Sequence, residues 1–232
     1  GPTLLLSALR VGHALILVER FDPAWVVETL SRHGVTLAGS GPAFWQSLIA
    51  AQRATPDQPL FPNLRALIGG CTSKRLRLHA DAREALGFPI LSGYGSTECP
   101  GLAYNHLGDP DSVLLGDGRA VEGVEIEIAS REANGSDPSR LAPGEEGEIC
   151  VRGPMLCRGY LGEGRLPLDP GGFFRTGDRG RRDAKGHLVV TGRIKDIIIR
   201  KGENISAKEI EDVLGGHPSI ADVAVVGLPD RE

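Results

Sequence analysis

Apolar positions along the 232 residues follow two rhythms. Before about residue 107, short continuous apolar runs alternate with stretches in which apolar residues recur every three or four positions. The first rhythm predicts buried strands and the second amphipathic helices. Residues 14–18 read as a buried strand. Asp22 and Pro23 read as the cap and first position of a helix bearing Val26, Val27 and Leu30, and Gly34 ends it. Residues 35–38 form the next expected strand. Pro42 opens a helix carrying Phe44, Trp45, Leu48 and Ile49. A third strand over 64–68 runs into Gly69 and Gly70. A helix from Lys74 to Leu86 then leads to a strand over 89–92 that enters Gly93. This alternation predicts an α/β unit over residues 1–107, a mostly parallel sheet with covering helices.

Beyond residue 107 the apolar runs shorten and alternate one by one with polar residues. Gly116, Gly118 and Gly123 lead to a strand over 124–128, a polar loop follows over 131–146, and 147–153 alternate again. Short strands with glycine turns predict a small β-barrel-like subdomain over 108–191. From residue 192 the pattern changes once more. A strand over 197–199, a helix over 207–214 capped by Ser206 and a strand over 223–226 read as a hinge and the beginning of a small α+β C-terminal domain, 192–232.

Charge and composition remove several function classes. The 26 Lys and Arg against 30 Asp and Glu give a net charge of −4, so electrostatic capture of nucleic acid is not expected. Hydrophobic residues at 41% and charged residues at 24% fit a folded globular chain. No apolar run approaches the ~20 residues of a membrane-spanning helix. The 32 glycines and 16 prolines point to many turns and close backbone approaches. Cys71, Cys99, Cys150 and Cys157 form no C-x-x-C pair, which favours reduced thiols in a cytoplasmic protein. The six histidines, at 13, 33, 79, 106, 187 and 217, have no metal-ligand spacing.

Three segments carry candidate chemistry. Gly93 to Glu98 follows an expected buried strand, where α/β sheets present ligands. There Tyr94 offers a flat face to a base, Thr97 a hydroxyl to a phosphate, and Glu98 a hard oxygen to Mg2+. The same residues also fit a glycine turn with a capping threonine and a surface glutamate. Asp178, after Arg175, Thr176 and Gly177, suits the vicinal hydroxyls of a ribose, and equally an Asx turn. The run from Gly192 to Asn204 also reads as a charged linker. Ser96 is not a hydrolase nucleophile, because Thr97 and Glu98 replace the G-x-S-x-G pattern.

In this order, and with Gly147–Leu161 between them, these segments resemble the adenylate-forming family of acyl-CoA synthetases, luciferases and peptide-synthetase adenylation domains. The likeness extends from about Phe21 to Glu232. Gly69, Gly70 and Cys71 resemble the glycine pair beside the adenine and acyl group. Tyr94, Gly95, Thr97 and Glu98 match the tyrosine-glycine-x-threonine-glutamate motif. Arg175 to Asp178 match the ribose motif, and Gly192 to Glu211 the hinge segment. The wording of 195–205 looks most like an acyl- or aryl-acid CoA ligase. The resemblance implies activation of a carboxylic acid with MgATP and transfer to CoA. Loading of a carrier protein, and AMP or ATP binding without chemistry, are the alternatives. It assigns Tyr94 to adenine, Thr97 to the α-phosphate, Glu98 to Mg2+, Asp178 and Arg193 to the ribose, Lys195 to the hinge and Gly202 to the pantetheine tunnel. Phe44 and Trp45 are either acyl-pocket residues or core aromatics. The family's phosphate loop is expected before residue 1 and its distal lysine after Glu232, so the chain is expected to be a fragment, poorly active alone. Acid identity and self-association stay open.

Overall fold

The structure is a computed structural model that describes residues 2–19, 22–70, 76–130, 139–200, 203–217, 219–220 and 223–228. In chain order its first elements are α1 (Pro2–Val11), α2 (Pro23–Arg32), β1 (Leu37–Ser40), α3 (Pro42–Ala54), β2 (Ala66–Gly69), α4 (Leu76–Leu86), β3 (Ile90–Tyr94), β4 (Ala103–Tyr104), α5 (Asp111–Leu114) and β5 (Arg119–Ala120). Then follow β6 (Glu125–Ala129), β7 (Glu146–Arg152), β8 (Phe174–Arg182), β9 (Leu188–Arg193), a 3-10 turn (Ile194–Asp196), β10 (Ile197–Arg200), β11 (Glu203–Ser206) and α6 (Ala207–Gly215).

Local chemistry sets the helix starts. The Asp22 carboxylate accepts from the Ala24 and Trp25 amides at 2.9 and 3.2 Å, and Pro23 takes the first helical position, where no amide hydrogen is needed. Pro42 opens α3 in the same way. Ser206 Oγ accepts from the Glu209 amide at 3.3 Å and caps α6.

β1 to β5 form one five-stranded sheet in sequence order. β1, β2 and β3 pair in parallel through the crossovers α3 and α4, whereas β3–β4 and β4–β5 are antiparallel. The sheet is therefore mixed, not mostly parallel. The two added strands are only two residues long, too short for an apolar period to reveal. Val26, Trp45, Leu48, Leu67 and Ile90 fill the core between the parallel strands and their helices.

β6 to β9 form a separate antiparallel sheet in sequence order. No closed barrel is present among the described residues: β6 and β9 are the edges of an open sheet. Ile126, Ile128, Ile149, Val151 and Leu188 pack from it onto Tyr94 and Ala103 of the first sheet and onto Leu102, just before β4. β10 and β11 make a two-stranded hairpin ahead of α6.

Two expected strands are absent. Residues 14–18 pair with no strand among the described residues, and Leu17 is 80% exposed. An apolar run specifies a strand only when a neighbour supplies the ladder. Residues 223–226 form no strand among the described residues; the Val225 amide donates to Glu211 Oε1 at 2.9 Å. Lys74, the expected start of α4, lies outside the described residues.

Leu67 is fully buried at the centre of the parallel strands. Leu67→Ala is expected to destabilise by about 2–5 kcal/mol in denaturant titrations. Leu17→Ala should stay within about 0.5 kcal/mol of the parent, as exposed positions do.

Candidate functional site

The parallel strands end together on glycines and polar residues. Gly69 closes β2 beside Ser40 on one side and Ser92 on the other. Gly70 follows, exposed, where a Cβ would stand 3.6 Å from the Gly93 carbonyl oxygen. Ligands of open α/β sheets bind beyond these carboxyl ends. β3 delivers Tyr94 there. The next residue must be small, because a Cβ on Gly95 would lie 2.8 Å from the Pro100 carbonyl oxygen. The Ser96 amide donates to the Cys99 carbonyl at 3.0 Å, and the Cys99 amide to Ser96 Oγ at 3.2 Å. Those two bonds pin a turn with Thr97 and Glu98 at its tip. Thr97 is exposed there.

Glu98 is held from the far side. The Tyr160 hydroxyl donates to Glu98 Oε1, and the Cys157 amide donates to the Glu98 carbonyl at 2.7 Å. The Tyr160 hydrogen bond, followed by one from the backbone and a smaller pull from Arg193, keeps the Glu98 carboxyl below its ordinary range. An ionised carboxylate of this kind is a fit oxygen ligand for Mg2+.

Asp178 reaches the same place from the second sheet. On β8, Arg175 pairs with Cys150 and Arg179 with Glu148, so Thr176, Gly177 and Asp178 face the single residue Ile149. The bulge is stitched by Thr176 Oγ1, which donates to the Ile149 carbonyl at 2.8 Å and accepts from the Asp178 amide at 3.1 Å. Gly177 sits at φ 74°, which favours glycine. The turn aims Asp178, only 6% exposed, at Tyr94. The Tyr94 hydroxyl donates to Asp178 Oδ2 at 2.6 Å, and Arg193 Nε donates to Oδ1 at 2.9 Å. Arg193 is the register partner of Asp178 on β9. Burial, then the negative charge of Asp178, push the Tyr94 phenol far above its ordinary range.

Tyr94, Asp178 and Arg193 are thus directly bonded, with Glu98 one loop away and within the field of Arg193. Each Asp178 oxygen keeps a second lone pair for an incoming hydroxyl. Lys195 is exposed on the 3-10 turn that follows Arg193. Cys71 and Gly202 lie outside the described residues. Trp45, 2% exposed, belongs to the first core, and Phe44 packs against that core. A cavity of about 530 Å³ between α3, α4 and Gly215, His217 and Ile220, lined also by Ile49, Arg53, Arg77 and Asp81, shares no residue with this cluster. The anchoring role of Tyr160 had no signal in spacing, since it stands 62 positions from Glu98.

The model of the AMP-binding enzyme family matches residues 2–161. A salicyl-AMP ligase/salicyl-S-ArCP synthetase of Mycobacterium tuberculosis is 36% identical over 98% of this chain and 40% of its own length. A medium-chain fatty-acid–CoA ligase of Escherichia coli is 36% identical over 95% of this chain and 38% of its own. Among solved structures, the O-succinylbenzoate coenzyme A synthetase of Bacillus subtilis in complex with ATP and magnesium superposes with a TM-score of 0.83 at 30% identity, covering all of this chain and 47% of that one. The chain therefore spans less than half the length of these relatives.

Tyr94→Phe leaves a buried carboxylate one donor short and is expected to cost about 1.5–3 kcal/mol. It also changes the alkaline limb. The folded protein keeps the Tyr94 proton where the unfolded chain releases it, so this contribution is complete below about pH 10 and is lost as pH rises. Denaturation midpoints above that pH should fall less steeply in Tyr94→Phe than in the parent.

Proposed function

The chain belongs to the AMP-binding enzyme family, whose relatives are adenylate-forming ligases, and from that premise we propose that it is part of an acyl-CoA ligase. In this reading a carboxylate oxygen of the substrate acid attacks the α-phosphorus of ATP, and pyrophosphate leaves. The thiol of CoA, losing its proton, then attacks the acyl carbon, and AMP leaves. Both partners of the first step are anionic, so positioning and charge stabilisation dominate.

The chain's own residues divide that work. The Asp178 carboxylate, held between Tyr94 and Arg193, accepts hydrogen bonds from both ribose hydroxyls. Arg193 reaches the same ribose. Tyr94 and Gly95 border the adenine, and Gly69, Gly70 and Cys71 take the family's place beside base and acyl group. Thr97 donates to the α-phosphate. Glu98 binds Mg2+, which when present offsets the phosphate charge. Lys195 marks the hinge about which the residues from 192 onward rotate between the two half-reactions, and Gly202 then borders the pantetheine arm. Residues 1–107 and 108–191 carry the nucleotide groups, and 192–232 is the unit that turns. A cytoplasmic placement goes with this reading, and there Cys99, Cys150 and Cys157, which form no disulfide, stay reduced.

One observation carries the reading: residues 84 positions apart, Tyr94 and Asp178, meet in a 2.6 Å hydrogen bond with Arg193 on the other oxygen. A second reading, loading of a phosphopantetheinylated carrier protein, is favoured by the salicyl-S-ArCP synthetase, as similar to this chain as the CoA ligase is. Fatty acids are one branch of the acids such relatives use. No helix among the described residues is long and apolar enough to cross a membrane.

Calorimetry with AMP tests the site in the chain itself. Asp178→Ala is expected to weaken binding about tenfold or more, the worth of a charge-assisted pair of hydrogen bonds. Unchanged affinity removes Asp178 from the site. In the whole protein that contains this chain, thioester formation with CoA but not with a carrier protein separates the two acceptors, and AMP binding with no product under either condition leaves a binding fragment.

A further inference from the structure

We propose that Glu148 is a positioning residue for the nucleotide site, acting from behind the sheet through Arg175 and Gly177. The inference rests on the reading of Asp178 as the ribose ligand. Glu148 is a carboxylate only 7% exposed, at the point where the β7–β8 ladder breaks register. A buried carboxylate is costly unless charged and polar donors surround it. Here Oε2 accepts from Arg175 Nε at 2.6 Å, with the terminal guanidinium nitrogen on the same oxygen, and Oε1 accepts from the Gly177 amide at 3.1 Å. The two residues it grips flank Thr176, and the second immediately precedes Asp178.

The geometry separates the brace from the ligand face. Along β7, Glu148 shares a side with Cys150, which packs with Ala129 and Phe173. Ile149 takes the opposite side and packs in the core that holds Tyr94. Glu148 therefore hydrogen-bonds to neither Tyr94 nor the aspartate it serves. Its Oε1 takes the Gly177 amide, which Thr176 Oγ1 does not bond, and its Oε2 holds Arg175 at the start of the turn, so the two oxygens set the height at which the turn leaves the sheet. Thr176 fixes the Asp178 amide, Glu148 fixes the Gly177 amide, and the Asp178 carboxylate arrives at the Tyr94 hydroxyl.

The chemistry yields a rescue that a merely space-filling role does not. In E148Q one carboxylate oxygen becomes an NH2 group, so one of the two donors faces a donor. In the double variant E148Q/R175Q, the side-chain amide oxygen introduced at position 175 stands as many bonds from its backbone as Arg175 Nε does. That oxygen can accept from the NH2 group introduced at position 148, while the remaining oxygen at 148 accepts from Gly177.

Amide exchange of Gly177, followed by NMR in this chain, and AMP affinity by calorimetry test the proposal together. In E148Q, Gly177 exchange is expected to rise and AMP affinity to fall, each about tenfold, and E148Q/R175Q is expected to recover most of both. Glu148→Asp, which keeps the charge but cannot span both donors, replaces E148Q if that variant does not fold, with the same losses expected in Gly177 protection and AMP affinity. Unchanged Gly177 exchange overturns the proposal. So does unchanged AMP affinity in E148Q while Asp178→Ala loses it. If Asp178→Ala binds AMP normally, the ribose reading fails instead, and Gly177 exchange alone decides whether Glu148 holds the turn.

Discussion

The hydrogen bond from Tyr94 to Asp178 is the constraint on which the candidate site depends. It joins the last strand of a parallel βα unit to a bulge in an antiparallel sheet, and it is buried on both sides. A bond of this kind is worth little if water competes for it and much if its loss strands a charge. The apolar wall around it, from Leu102 to Ile149 and Leu188, supplies that exclusion. The two sheets therefore share one core at the candidate site, and the packing that stabilises the chain also sets the distance between Tyr94 and Asp178.

Much of the first unit was legible because helix caps and parallel strands leave strong local marks. Asp22 with Pro23, Pro42, and the apolar strands ending in Gly69 and Tyr94 are all found close to where the pattern puts them. The second sheet was half legible. Its strand β6 alternates and β7 carries Ile149, Cys150 and Val151 in a row, but β8 reads Phe-Arg-Thr-Gly-Asp-Arg-Gly-Arg-Arg and conceals a nine-residue strand. Three of its four arginines are neutralised by acidic neighbours: Glu148 meets Arg175, Glu146 meets Arg179 and Glu127 meets Arg182. Cross-strand charge pairing has no period along the chain, so a hydrophobic pattern cannot register it.

The site divides along the same line. Residues that touch a ligand in the proposed reading stand in short motifs, with their chemical types visible. Their supports are scattered: Tyr160 steadies Glu98, and Glu148 steadies the turn before Asp178. Such partners are set by tertiary contact alone, which is why a motif names the working groups and omits what holds them still. The apolar run at 14–18 shows the converse, a strong local signal that no neighbouring strand in the described residues completes.

The β8 bulge has one more property. Three residues stand opposite one, an excess of two, and the side-chain alternation of a strand repeats every two residues. Phe174 before the turn and Gly180 after it therefore keep facing the same way, and the ladder resumes as though uninterrupted. A gain or loss of one residue here would turn the rest of the strand inside out, arginines inward, whereas a paired change would not. Over evolutionary time this loop can alter its length only in even steps.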